Sequence, residues 1–194
     1  MLGQRDADGL WTQQLNGRSS RRLGPAHGFA GCVLALGDVA AVSETLEPFA
    51  VEEDGLVNWP HTAGVRLDAN GDGRIRAQWC HGAPGMVATL AHLLDEELAV
   101  AGGELTWRAG PLRKGANLCH GTAGNGYAFL ALLERTGDER WLTRARSFAM
   151  HAAGQVQHSR SHYGRGRQTL WTGDLGTTLY LADCIDGGGK LPLP

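Results

Sequence analysis

A thiol and an imidazole stand side by side at Cys119 and His120, inside the stretch 113–130 (RKGANLCHGTAGNGYAFL) and just ahead of a glycine-punctuated apolar run. Successive residues of an α-helix point about 100° apart and do not face each other, so this pair can share one metal ion only from a turn. Gly121 and Gly124 supply that turn, and their small size lets the next helix, expected over 125–134, begin close against its neighbours. At a helix N-terminus the unpaired N–H groups and the dipole favour a thiolate. The stretch Trp79-Cys80-His81-Gly82-Ala83-Pro84-Gly85 repeats the arrangement. Cys80, Cys119 and His120 together make two thiolates and one imidazole. Three protein ligands with the fourth position open form the catalytic kind of zinc site, whereas four form a closed structural one. No C-x-x-C occurs, so the signal is the duplicated motif and not zinc-finger spacing. The competing reading, two buried cysteines and two core histidines, fits a single Cys better than a duplicated Cys-His-Gly-x-x-Gly.

The elements that must hold these groups are marked by glycine. The chain has 29 glycines in 194 residues, about twice the usual share near 7%, which implies many tight turns. Four marks recur: His27-Gly28-x-x-Gly31, Cys80-His81-Gly82-x-x-Gly85, Cys119-His120-Gly121-x-x-Gly124 and Thr172-Gly173-x-x-Gly176. Their leading glycines are 54, 39 and 52 residues apart, as repeated helical hairpins with loops of variable length require. Helices directly after the marks (86–98, 126–133 and 177–183) are apolar around most of their circumference and read as an inner layer. Between marks, residues 138–153 carry Trp141, Leu142, Ala145, Phe148, Ala149 and Ala152 on one stripe with Arg140, Arg144 and Arg146 off it, the pattern of an outer helix.

Length suffices for one domain with a core. A net charge of −2 gives no basic field for nucleic acid. The N-terminal residues lack the basic and apolar regions of a signal peptide, and no run reaches the roughly 18 apolar residues of a membrane span, so a cytoplasmic location is expected. The four cysteines, Cys32, Cys80, Cys119 and Cys184, are then expected as metal ligands or buried thiols, not disulfides. Residues 1–22 are polar and read as a solvated loop or the remnant of a preceding hairpin, ahead of a domain over 23–194. Residues 68–75 (DANGDGRI) copy the first half of a calcium loop, but Trp79 stands where its bidentate Glu belongs, so a short hairpin is expected instead.

From Leu23 onward, AHGFAG, WCHGAPG, LCHGTAG and LWTGDLG resemble, in order, the motifs of the lanthionine synthetase C-like (LanC-like) proteins. That resemblance implies an all-α fold, an α/α toroid built as a double layer of helical hairpins, with about four of the family's seven hairpins represented. It implies a zinc cofactor on Cys80, Cys119 and His120, His27 as acid and base, and Arg76 as an active-site arginine. His81 stands where the LanC-like branch has histidine and some cyclases have tyrosine, and is a further catalytic candidate. Lys114, five residues before Cys119, matches a lysine associated with glutathione binding. The partners implied are a dehydrated peptide, glutathione or both. The activity implied is addition of a thiol to dehydroalanine or dehydrobutyrine to form a thioether. The alternative is a zinc- and glutathione-binding module without turnover, or an inactive part of a toroid. With the N-terminal hairpins absent, a piece of a longer protein is expected, and its uncovered edge is expected to self-associate.

Overall fold

The computed structural model describes residues 5–37, 39–65 and 75–192. The half-calcium-loop stretch lies almost wholly outside them. Among the described residues, two short antiparallel hairpins, β1 (Gln13–Leu15) with β2 (Arg18–Ser20) and β3 (Val51–Glu53) with β4 (Leu56–Asn58), accompany seven α-helices. These are α1 (Phe29–Leu36), α2 (Val42–Leu46), α3 (Ala83–Leu90), α4 (Glu96–Ala109), α5 (Thr122–Thr136), α6 (Arg140–Tyr163) and α7 (Asp174–Asp186).

The fold is all-α and two-layered. Each glycine mark opens an inner helix, and the inner helices α1, α3, α5 and α7 pack in sequence order, with α4 laid over α3 and α5 and α6 over α5 and α7. The stripe expected on the outer helix is the one buried on α6: Trp141, Leu142, Ala145, Phe148, Ala149 and Ala152. The helix continues well past residue 153, to Tyr163, where Gly164 in a left-handed conformation ends it. The inner helix expected over 86–98 stops instead at Leu90, and α4 starts at Glu96. Asp95, Glu96 and Glu97 place three acidic residues at that new N-terminus, where the helix dipole favours them.

The two glycines of each mark answer to one steric fact. A Cβ on Gly28, Gly82 or Gly173 would strike the backbone carbonyl of Arg22, Arg76 or Arg167, six residues earlier. A Cβ on Gly31, Gly85, Gly124 or Gly176 would strike that of Pro25, Trp79, Leu118 or Leu170, again six residues earlier. The loop therefore folds back onto the first turn of its own helix. Its carbonyls then cap that turn: Arg22 and Leu23 accept from Phe29 and Ala30 (2.8 and 2.9 Å), Gly115 and Ala116 from Thr122 and Ala123 (2.9 and 3.0 Å), and Arg167 from Asp174 (2.7 Å). On α3 the Asn58 side chain of β4 does this instead, its Oδ1 accepting from Ala83 at 2.7 Å.

The described part of the N-terminal stretch, residues 5–22, is less solvated than its composition suggests, since Leu10 and Trp11 are buried in the core and Trp11 packs against Phe29. At the other end α7 exposes Leu175, Leu179 and Ile185, an apolar strip on the last inner helix. Among the described residues no helix is long and apolar enough to cross a membrane.

Candidate functional site

Successive turns are joined by their backbones. The Cys80 N–H donates to the Cys119 carbonyl at 3.1 Å, and the Cys119 N–H donates to the Trp171 carbonyl at 2.9 Å. Beneath the first turn, Gly24 lies against the Cys80 carbonyl with no room for a Cβ. Residues far apart in sequence are thus locked into one row by main-chain bonds.

Along that row the two cysteines meet. Cys80 is buried, Cys119 half-buried, and all four cysteines are free thiols. The Cys80 thiol donates to the Cys119 sulfur, which pulls the Cys119 pKa down to about 5; burial opposes this, while a hydrogen bond and the charge of His120, and the charge of His27, reinforce it. Cys80 is pushed up by the same hydrogen bond, by burial and by the Cys119 charge, with the Gln78 amide working the other way. The pair holds one proton and one negative charge, as two acids in contact do.

The helix terminus is not the source of that thiolate. The first N–H groups of α5, which an anion could have used, are already taken by the carbonyls of Gly115 and Ala116, with Asn117 accepting from Gly124 at 3.4 Å. His120 is steadied separately, its N–H donating to Asn117 Oδ1 at 3.1 Å.

His27 is exposed at the head of α1, and its carbonyl accepts from Gln13 Nε2 at 2.7 Å, which ties it to β1. Together with Cys119 it lines a cavity of about 380 Å³ whose walls include Trp79, Trp171 and Leu34. The His81 ring lies 6.2 Å from the His27 ring and 5.7 Å from that of His61, centroid to centroid. Arg76 is half-buried at the base of the Gly82 turn, and the described lining of the cavity does not include it. Lys114 lies outside this cavity, in a larger groove of about 860 Å³ that it shares with Arg113, His158 and Arg167. It nonetheless reaches the thiols: Lys114 Nζ donates to Gln78 Oε1 at 3.4 Å, and Gln78 Nε2 donates to Cys80 Sγ at 3.1 Å.

The structure therefore brings together Cys80, Cys119, His120 and His27, sets His81 beside His27, and links Lys114 through Gln78. Gln78, His61 and Trp171 are additions that sequence reasoning missed. Trp171 immediately precedes the fourth glycine mark, which carries no thiol or imidazole to point to it. Two thiols and an imidazole are the donor chemistry of a zinc centre, and the contacts that join them run pairwise through Cys119. Among the described residues no three His, Cys, Asp or Glu groups are drawn into one metal-holding cluster.

The sequence matches the family described as lanthionine synthetase C-like protein over residues 3–192. This chain belongs to that family. It is 34% identical over 181 residues to the Danio rerio protein named glutathione S-transferase LANCL1, covering 84% of this chain and 43% of that protein. It is also 34% identical over 148 residues to the Arabidopsis thaliana LanC-like protein GCL1, covering 68% of this chain and 33% of that one. The chain spans less than half the length of these curated relatives.

Proposed function

We propose that this chain adds a thiol, from a peptide cysteine or from glutathione, to dehydroalanine or dehydrobutyrine, forming a thioether in a reducing cytoplasmic setting. The observation that carries the reading is a cavity lined by both Cys119 and His27, with the Cys80 thiol hydrogen-bonded to Cys119. Cys80, Cys119 and His120 are the residues that would hold zinc. Bound there, zinc would supply the Lewis acidity that keeps an incoming thiol as thiolate near neutral pH.

With the metal bound, Cys80 would give up the proton the pair otherwise shares, and the two thiolates would offset the charge of a divalent cation. In the addition the donor loses its S–H proton and its sulfur bonds the β-carbon. The C=C electron pair moves onto the carbonyl oxygen, and a proton then returns to the α-carbon. His27, free of the ligand set and on the same cavity, is the group that exchanges that proton, with His81 beside it as the reserve. Arg76 is the candidate to stabilise the enolate oxygen.

Glutathione as donor is supported by the name of the Danio rerio relative and by the basic groove at Lys114, Arg113 and Arg167, which suits a peptide with two carboxylates. A second reading is a zinc- and glutathione-binding module without turnover, supported by the groove at Lys114 lying apart from the cavity that His27 lines. The test mixes glutathione, a dehydroalanine peptide and the zinc-loaded chain and follows adduct mass, with free zinc as background. Wild type above background and Cys80→Ala/Cys119→Ala at background support the enzyme. Wild type at background while retaining one zinc leaves the binding module.

A further inference from the structure

One wall of the cavity has no part in the chemistry just proposed. The indoles of Trp79 and Trp171 lie with ring centroids 4.5 Å apart and planes tilted by 30°. Trp79 is buried at 5% exposure, whereas Trp171 is only half-buried, and Leu34, at 37% exposure on α1, belongs to the same lining. Trp171 is fixed to Cys119, one of the proposed zinc ligands, by main chain, since its carbonyl accepts the Cys119 N–H. The backbone that carries this wall is thus held directly beside that of Cys119.

A dehydroalanine side chain is a single methylidene carbon and fills little of about 380 Å³. The remaining lining includes Pro25, Ala26 and Ala35, and its described residues contain no Asp, Glu, Lys or Arg. A charged side chain entering there would give up its water for no polar side chain beyond His27 and Cys119, whereas an aromatic or branched aliphatic one would gain ring contact and apolar burial. We infer that the Trp79–Trp171 pair forms an acceptor subsite selecting peptides with an aromatic or bulky aliphatic residue next to the dehydroamino acid. The inference rests on the proposed thioether chemistry for the identity of its ligand, and it adds the preferred neighbour.

Binding and turnover separate the two claims. Hexapeptides carrying unreactive alanine at the acceptor position, with Phe, Gly or Asp beside it, are titrated calorimetrically into the zinc-loaded chain. The Phe peptide is expected to bind about tenfold more tightly than the Gly peptide and more tightly still than the Asp peptide, from aromatic contact plus burial. Trp171→Ala should bring the Phe to Gly ratio near one, and Trp171→Phe should restore most of it. Leu34→Glu, a change at the exposed rim, should lower the ratio as well and decides the matter if Trp171→Ala fails to fold. With dehydroalanine peptides the same preference should appear in KM and not in kcat. Equal affinity of wild type for the Phe and Gly peptides, including no measurable binding of either, overturns the subsite even if thioether forms. A clear preference without thioether formation keeps the subsite and removes the proposed reaction.

Discussion

Gln78 Nε2 donates a hydrogen bond of 3.1 Å to Cys80 Sγ, while the other end of the same amide accepts from Lys114 Nζ. The lysine fixes which way the amide points, so that a donor and not an acceptor faces the sulfur. Groups that hydrogen-bond a metal ligand set its orientation and basicity, and losing one costs roughly 10–100-fold in metal affinity. Gln78→Leu should therefore weaken zinc retention by about that factor in a chelator competition while leaving the helical circular dichroism unchanged. Zinc affinity equal to wild type would detach Gln78 from the centre.

The thiol pair gives a pH prediction for metal-free protein. A depressed pKa means that the thiolate is present above the folded value and lost as pH falls through it, so Cys119 should alkylate with iodoacetamide readily at neutral pH and slow as pH drops toward about 5. Cys184, whose pKa burial raises to about 11, should stay inert throughout. Because Cys80 supplies the largest share of the depression, Cys80→Ala should move the Cys119 profile to higher pH. Peptide mapping of the alkylated cysteines across pH checks this, and an unmoved profile would show that Cys80 is not the proton holder.

Much of this architecture was legible in the sequence, for identifiable reasons. The buried stripe of α6 is legible because six apolar residues, large and small, recur at helical spacing against arginines. The four marks were legible because glycine is the residue that survives where a carbonyl sits on the Cα. The break between α3 and α4 was hidden by an apolar run through Leu93 and Leu94, although Asp95 and Glu96 carried the start signal. The capping of α1, α5 and α7 is invisible in the sequence, because a backbone carbonyl seven residues earlier leaves no side-chain trace, and with it the fact that the α5 terminus next to Cys119 is already occupied. Gln78 has no motif of its own, and Trp171 lies in LWTGDLG with no ligand residue beside it; only the fold sets one against Cys80 and ties the other to Cys119.

Glycine substitutions separate close approach from mere flexibility. Gly124→Ala drives a methyl into the Leu118 carbonyl and should cost about 2–4 kcal/mol, since neither backbone can yield without moving a whole inner helix. Gly154 lies inside α6 with nothing near its Cα, so Gly154→Ala should stabilise by about 0.5–1 kcal/mol through helix propensity. Urea denaturation of the two variants should show opposite signs. Equal effects would mean that the steric account of the marks is wrong.

The apolar strip of α7 predicts self-association at high concentration. Leu175 and Leu179 are one helical turn apart and about half exposed, and Ile185 is more exposed still. Leu179→Glu with Ile185→Glu should shift sedimentation toward monomer without loss of helix, as charges placed in an apolar contact would do. A wild type that is monomeric at every concentration tested would show that the strip is not an edge in use.

The most direct measurement concerns His27, which faces the same cavity as Cys119 yet stands apart from the proposed zinc ligands. His27→Asn is assayed beside wild type for bound zinc and for the rate of adduct formation between glutathione and a dehydroalanine peptide. Zinc content should be unchanged at one per chain while the rate falls by roughly 10²–10⁴-fold, the usual contribution of a general acid or base. An active wild type matched by an equally active His27→Asn would contradict its assignment as the proton-exchanging residue, and loss of zinc together with activity would move His27 into the ligand set.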